Sequence, residues 1–320
     1  MAERREIKDR RRIGATGPTV TSVGIGAWAW GDKKFWEYGK GYGRKDLDAV
    51  WARALELGVT WFDTAEVYGN GASETIIGEL LPGTKEPPVI ATKIMPERED
   101  PRAVRKAAEG SRKRLGVEAI DLYQVHWPPP KMPMGDLMRE MEALYDDGLV
   151  KAVGVSNFSV AEVEQAQSNL QHAHIASNQV HYSLLHREPE EEGLVEHHRR
   201  AGIGIIAYSP IEQGLLTGKF TGANPPKGFR GSKPRFQAEN LRRVGPLLEA
   251  LDEVGSPHGH TKAQTAMAWL LKDPNVVVIP GAKNVRQLEE DVGCADWKLT
   301  GKEIDRIEEA YHAYREAGGV

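Results

Sequence analysis

VIATKIMPEREDPRAVRKAAEGSRKRLGVEAIDLYQVH, residues 89–126, holds two short apolar runs, Val89–Ile94 and Ile120–His126, on either side of an amphipathic stretch. The stretch opens on Asp100-Pro101, a helix-starting pair, and then sets Ala103, Val104, Ala107, Ala108 and Leu115 on one face. Strand, helix, strand in this order is a unit whose strands lie parallel. The alternation extends in both directions, with further runs at Val23–Trp28, Thr60–Thr64, Ala152–Ser156, Ile175–Val180, Gly204–Tyr208 and Val276–Ile279. Capping-box pairs, Ser159 with Glu162 and Thr261 with Gln264, mark helix starts between them. Eight such runs predict an α/β fold of the closed (β/α)8 TIM-barrel type rather than an open sheet. No G-x-G-x-x-G follows the first run, so a Rossmann-type dinucleotide site is not expected.

Two segments exceed the minimal unit. Ile211–Arg235 is rich in Gly, Pro and Lys and reads as a long loop over the barrel mouth, whereas Thr300–Arg315 opens with its own capping box, Thr300 to Glu303, and reads as an extra C-terminal helix. Barrels reach 320 residues as one unit, so residues 1–320 are expected to form a single domain.

The remaining composition narrows the function class. A formal charge of −4 argues against nucleic acid as the main partner. The first fourteen residues carry six Lys/Arg against three acids, but GATGPTVTSVGIGAWAWG after them is too rich in Gly, Thr and Pro for an export signal, so a short solvated extension is expected. No apolar run approaches membrane-spanning length. The lone Cys294 allows no internal disulfide and no thiolate metal site, which fits a reducing cytoplasm. His197-His198, in the charged EEEGLVEHHRR, reads as solvated rather than metal-binding, and His258–His260 reads as a loop.

In a barrel of this type the chemistry gathers at the C-terminal ends of the strands. Asp63 ends the second run with Tyr68 five residues on, Lys93 lies in the third, and His126 ends the fourth. Each alone has an ordinary structural reading. Together, a carboxylate, a phenol, an ammonium and an imidazole from three consecutive strands make a proton donor: a free tyrosine titrates near ~10, and an adjacent Lys93 would pull Tyr68 down. An ammonium within VIATKI needs a counter-charge, and Asp63 is the candidate. His126 would hydrogen-bond a substrate carbonyl or share the relay. Trp28, Trp30 and Trp127 fall near strand ends and could line a substrate pocket or simply pack.

From about Arg12 onward the chain resembles the aldo-keto reductase family, whose Asp, Tyr, Lys and His coincide with Asp63, Tyr68, Lys93 and His126. GVSNF at Gly154–Phe158, Asn178-Gln179, AYSPIEQGLLTGKF at Ala207–Phe220 and IPGAKN at Ile279–Asn284 are similar to its cofactor-binding segments. The pattern is most similar to members with a long seventh loop, a group that includes β subunits of voltage-gated potassium channels. The resemblance implies NADPH-dependent reduction of aldehydes or ketones, with NADPH preferred over NADH, or alternatively a cofactor-binding regulatory protein. It implies that Ser156, Asn157 and Gln179 hold the nicotinamide carboxamide, that Tyr208 stacks on the ring, and that Trp28 and Asp63 lie beside the cofactor. Ser209, Pro210, the backbone of Ile211, Glu212 and Gln213, and Lys219 would reach the pyrophosphate. Gly281, Lys283, Gln287 and Glu290 would hold the adenosine end, with a helix N-terminus near Asn284 adding favourable charge for the 2′-phosphate and Lys283 reading it. Two positions depart from the family: Asp291 stands where Asn is common, next to the adenine, and Ala27 where Thr is frequent.

Overall fold

The protein is described by a computed structural model over residues 6–319; residues 1–5 of the basic extension lie outside the described residues. A hairpin of β1 (Arg10–Arg12) and β2 (Thr19–Thr21) comes first. Eight parallel strands follow: β3 (Ile25–Gly26), β4 (Trp61–Asp63), β5 (Val89–Ile94), β6 (Leu122–Val125), β7 (Val153–Ser156), β8 (Ile175–His181), β9 (Gly204–Tyr208) and β10 (Val276–Ile279). Each pairs with the next in chain order. The ring closes between its ends, where Val278 donates to Ser22 O and Gly24 to Val278 O, both at 2.9 Å. The architecture is the (β/α)8 barrel, with helices between successive strands and the extra helix Gly301–Glu316 behind its Thr300–Glu303 capping box.

The first barrel strand is much shorter than the run Val23–Trp28, because the chain turns after Gly26: Ala27 donates to Asp63 O and Trp30 to Ala27 O. The described part of the basic extension, from residue 6, is only partly solvated. Ile13 and Val20 of the hairpin cap the floor of the barrel against Trp61, Ala91, Leu122, Ile206 and Val277. Arg11 runs along the wall, pairs with Asp9 at 2.9 Å and donates to the carbonyls of Leu271 (2.9 Å), Asp273 and Val276 (both 2.7 Å), so its guanidinium is shared between one carboxylate and backbone acceptors. Apolar side chains thus fill the lower barrel and exclude water, which leaves the upper layer for polar groups.

The helix Arg102–Leu115 buries Val104, Ala107, Ala108 and Leu115 of the expected face and leaves Ala103 half-buried. The capping boxes at Ser159 and Thr261 form, each hydroxyl accepting from the backbone three residues on. The segment 211–235 is not one open loop: short 3-10 turns at Glu212–Thr217 and Gly228–Arg230, and a third from Pro234, break it. Among the described residues no helix is long and apolar enough to cross a membrane.

Candidate active site

Strand pleat decides which side chains enter the barrel, since alternate residues face inward. Asp63 shares the inward parity of Trp61, Lys93 that of Ala91, and Gln124 and His126 that of Leu122. Lys93 Nζ donates to Asp63 Oδ1 at 2.5 Å, to Thr64 O at 2.8 Å and to Tyr68 Oη at 3.3 Å. Lys93 and Asp63 are 0% and 1% exposed, so this is a dry pair. Asp63 Oδ2 accepts from Gln124 Nε2 (3.1 Å) and Gln179 Nε2 (2.9 Å), which satisfies the second oxygen. Gln124 sits beneath Gly154, where a Cβ would fall 2.5 Å from Ser177 Oγ and 2.9 Å from Gln124 Cγ; any larger residue would displace this support. Gln124 had a legible signal, an amide two residues before His126 on the same face, and it was missed.

Tyr68 reaches its place through a turn after β4, in which Glu66 donates to Lys93 O and Tyr68 to Ala65 O. Glu66 anchors the turn by accepting from Met95 N at 2.8 Å and pairing with both Arg98 nitrogens. The His126 ring stands edge-on to Tyr68, with centroids 5.7 Å apart, and its buried Nδ1 has no partner among the described residues. The two orphaned or weakly held groups, Tyr68 Oη and the His126 ring, therefore flank one spot.

The electrostatics differ from the expectation on one point. Burial pushes the Tyr68 phenol up from its ordinary value and Asp63 adds to this, so the pull of Lys93 in the other direction does not lower it overall. Burial alone would lower the Lys93 ammonium, but Asp63 and the Tyr68 oxygen reverse this and its value ends raised. Burial, then the Lys93 charge, pushes His126 down to about 3. At neutral pH the set is a protonated phenol, a cation and an uncharged imidazole. Such a set can donate two hydrogen bonds to one oxygen and release a proton from the phenol.

Beside it lies a chain of polar groups. Ser156 Oγ donates to Gln179 O (2.8 Å), Asn157 Nδ2 to Ser156 Oγ (3.0 Å) and His126 O (3.1 Å), and Tyr208 Oη to Asn157 Oδ1 (3.0 Å). Both Gln179 amide hydrogens are taken by Asp63 and Gln124, leaving its carbonyl oxygen for a ligand. Asn178 faces the other way and donates to Phe158 O and His198, so it is not in the site. His198 is accordingly buried rather than solvated, whereas its neighbour His197 reaches Glu164.

Of seven non-glycine residues with positive φ among the described residues, four lie here: Asn157, Ser209, Glu212 and Gln213, at 61°, 52°, 50° and 52°. Such conformations cost about 1–3 kcal/mol each and concentrate where a backbone must meet a ligand. Gly214 continues the turn at φ 93°, and a Cβ there would lie 2.9 Å from Lys219 Nζ. Lys219 and Lys283 make no ion pair among the described residues. Burial lowers both, and the Arg230 charge lowers both further. Arg230 donates to Gln213 O at 3.2 Å and stands 5.9 Å from the Trp36 ring, while Lys283 stands 5.1 Å from Trp36 and from Tyr42. Exposed Lys219 and half-buried Arg230 and Lys283, close together and none held in an ion pair among the described residues, form a cradle for an anion, although Glu290 and Asp291 partly offset the repulsion at Lys219 and Glu37 at Lys283. Arg230 lay inside a stretch read only as a loop and was missed, because nothing local ties it to residues 219 and 283.

The rest of the expected set divides. Asn284 caps the helix Val285–Val292 by accepting from Gln287 N at 3.0 Å, and Gln287 Oε1 accepts from Lys283 N at 2.9 Å, which aims that segment. Gly281 passes near Gly26 O, and Glu290 O accepts from Gln264. Asp291 is buried, its Oδ2 has no partner among the described residues, and burial raises its carboxyl well above the usual range. The Glu212 side chain turns inward, away from a pyrophosphate role, leaving only its backbone available; Pro210 is buried and Ile211 half-buried beside it. Trp28 stands 6.2 Å from Tyr68 and 5.4 Å from Trp36. Trp30 is a packing residue: fully buried, it donates to Ala282 O and lies against Phe62. Trp127 is 47% exposed.

The fold and this mouth define a barrel with a dry Asp63–Lys93 pair against Tyr68 and an adjoining group of cations. A sequence profile described as the Aldo/keto reductase family matches residues 22–312, and the chain belongs to that family of oxidoreductases. An uncharacterized oxidoreductase of Mycobacterium tuberculosis is 41% identical over 296 residues, covering 92% of this chain and 91% of that protein. Among solved structures, the glycerol dehydrogenase of Gluconobacter oxydans matches with a TM-score of 0.84 and 28% identity, covering 98% of this chain and 97% of that one. An aldo-keto reductase from Klebsiella pneumoniae crystallised with NADPH matches with a TM-score of 0.77 and 25% identity over 94% and 95% of the two chains.

Proposed function

We propose that the protein reduces aldehydes or ketones with NADPH, as one catalytic domain acting in the cytoplasm, and that Tyr68 is the proton donor. The observation that carries this reading is the Asp63–Lys93–Tyr68 chain of contacts beside an unpartnered His126 nitrogen. A substrate oxygen accepts from Tyr68 Oη and from the uncharged His126. The reduced nicotinamide supplies the hydride. As negative charge grows on the oxygen, the phenol proton moves to it, and Lys93, held by Asp63, stabilises the phenolate left behind. Keeping Tyr68 protonated until then is what its raised value accomplishes.

Gln179 Oε1 accepts from the carboxamide, and either Asn157 Nδ2 donates to it in exchange for its 3.0 Å bond to Ser156 Oγ, or Ser156 Oγ donates in exchange for its 2.8 Å bond to Gln179 O. Tyr208 covers the ring. Backbone at Ser209–Gln213, with Lys219 and Arg230, takes the pyrophosphate, while Lys283 reads the 2′-phosphate. Gly281, Gln287 and Glu290 face the adenosine. Asp291, whose carboxyl burial raises, stands beside the adenine where a family asparagine would.

The test is a panel of aldehydes and ketones with NADPH and with NADH, followed by loss of reduced-nicotinamide absorbance, on the natural chain and on Tyr68→Phe. Turnover with NADPH, cut by about two to four orders of magnitude in Tyr68→Phe with cofactor affinity nearly unchanged, is the expected result. No turnover with tight NADPH binding would favour a regulatory protein, and near-normal activity of the variant would remove Tyr68 from the role.

A further inference from the structure

A second polar cluster lies against Tyr208. His181, at the end of β8, stacks on the Tyr208 ring with centroids 5.3 Å apart and planes at 11°, and His186 stacks on His181 at 3.8 Å and 17°. His181 Nε2 lies 2.7 Å from Glu212 Oε1, and because a carboxylate only accepts, Nε2 carries the proton and donates. Ser183 Oγ donates to the same oxygen at 2.6 Å, and Arg235 pairs with the other. Glu212 is 1% exposed and holds a left-handed backbone, φ 50°, to reach this position. One buried carboxylate thus joins three segments: the end of β8, the turn after β9, and the far end of the long loop.

Nothing in the proton-donor centre needs this cluster. Burial, followed by the Arg235 charge, pushes His181 down to about 4, so the ring stacked on Tyr208 is uncharged at neutral pH. The Tyr208 hydroxyl is fixed by Asn157, but a hydroxyl bond leaves a ring free to rock about its axis. A parallel ring on one face removes that freedom, and the Glu212 bond keeps the second ring from turning.

We propose that His181 and Glu212 are positioning residues that hold Tyr208 flat for the nicotinamide and, through Arg235, fasten the 211–235 segment over the cofactor. The proposal rests on the NADPH reading above. It makes the nicotinamide end, not the adenosine end, sensitive to side chains that touch no cofactor.

The test uses the full chain with His181→Ala, His181→Phe and Glu212→Gln, and compares binding of NADPH with that of 2′-phospho-ADP-ribose, which lacks the nicotinamide. His181→Ala should weaken NADPH about 2- to 12-fold, the span of one aromatic pair, and leave the fragment unchanged. His181→Phe, which keeps a stacking ring, should restore the affinity. Glu212→Gln should speed amide hydrogen exchange over residues 231–237 in the cofactor-free protein. Equal weakening of NADPH and fragment, unaltered NADPH binding in His181→Ala, or a His181→Phe no better than alanine would overturn the stacking role. Unchanged exchange in Glu212→Gln would overturn the fastening role. Failure of the natural chain to bind NADPH would instead refute the cofactor reading, with the exchange measurement still deciding the fastening.

Discussion

Lys93→Met tests the centre most sharply, because the structure sets both the sign and the scale. The substitution keeps an unbranched side chain, one heavy atom shorter, and deletes its charge. It leaves Asp63 ionised in a dry site, where breaking a buried pair from one side costs about 3–5 kcal/mol. Asp63 retains amide donors from Gln124 and Gln179, so this loss belongs at the lower end. Asp63→Asn belongs at the upper end, since Lys93 then keeps only neutral acceptors and no anion, and the new amide must face the Gln124 and Gln179 donors that Asp63 accepted from. The double variant holds no unpaired charge and should lose about 0–2 kcal/mol, as buried pairs replaced by neutral groups commonly do. The coupling energy, about 6–8 kcal/mol on these figures, therefore exceeds the ~3 kcal/mol upper end found for contacting residues. At about 2.1 cal/mol/K per residue, a chain of this length shifts its Tm by about 1.5 °C per kcal/mol, which puts the single variants about 4–7 °C below the natural protein. Turnover should fall about 10²- to 10⁴-fold in Lys93→Met, and Asp63→Asn should cost far less when added to it than when made alone. The assay is a double-mutant cycle read by thermal unfolding and by kcat with one good aldehyde. Strict additivity in both would mean that the pair does not act as a unit, and the account of Tyr68 would fall with it.

Three further outcomes follow from other parts of the mouth. Lys283→Ala should raise the dissociation constant for NADPH by about 1.5–3 kcal/mol and barely touch NADH; equal losses for both would show that Lys283 does not read the phosphate. Asp291→Asn should raise stability by about 1–3 kcal/mol at pH 8 and much less at pH 4, because a carboxyl whose value is raised on folding loses its contribution as pH rises; a gain independent of pH in urea titrations would contradict the buried, orphaned oxygen. His126, His181 and His198 are pushed from 6.5 to about 3, 4 and 4, foremost by burial. The unfolded chain therefore binds more protons below 6.5, and stability should be full above that pH and fall by about 1.4 kcal/mol per unit per histidine towards pH 4. His198→Gln should remove one proton from that slope, and an unchanged slope would place His198 in solvent.

The barrel was legible in the sequence because its cause is local: apolar runs of strand length alternating with amphipathic stretches leave few ways to bury both. Asp63, Tyr68, Lys93 and His126 were legible for a related reason, since strand ends in such a barrel converge whatever the detailed packing. Parity along a strand could also have separated Gln179 and Gln124, which face inward, from Asn178, which faces His198. Other features have no local cause. Arg11 looks solvated until the carbonyls at 271–276 arrive beside it, and Arg230 looks like loop until Lys219 and Lys283 surround it. The balance that raises rather than lowers the Tyr68 phenol depends on how dry the pocket is, a property of the whole mouth. Glu212 reads as one polar residue in a Gly-rich turn, and only the folded chain brings His181, Ser183 and Arg235 to its two oxygens. Periodicity acts over a few residues and is written in the chain, whereas desolvation and charge pairing act between segments that only folding brings together.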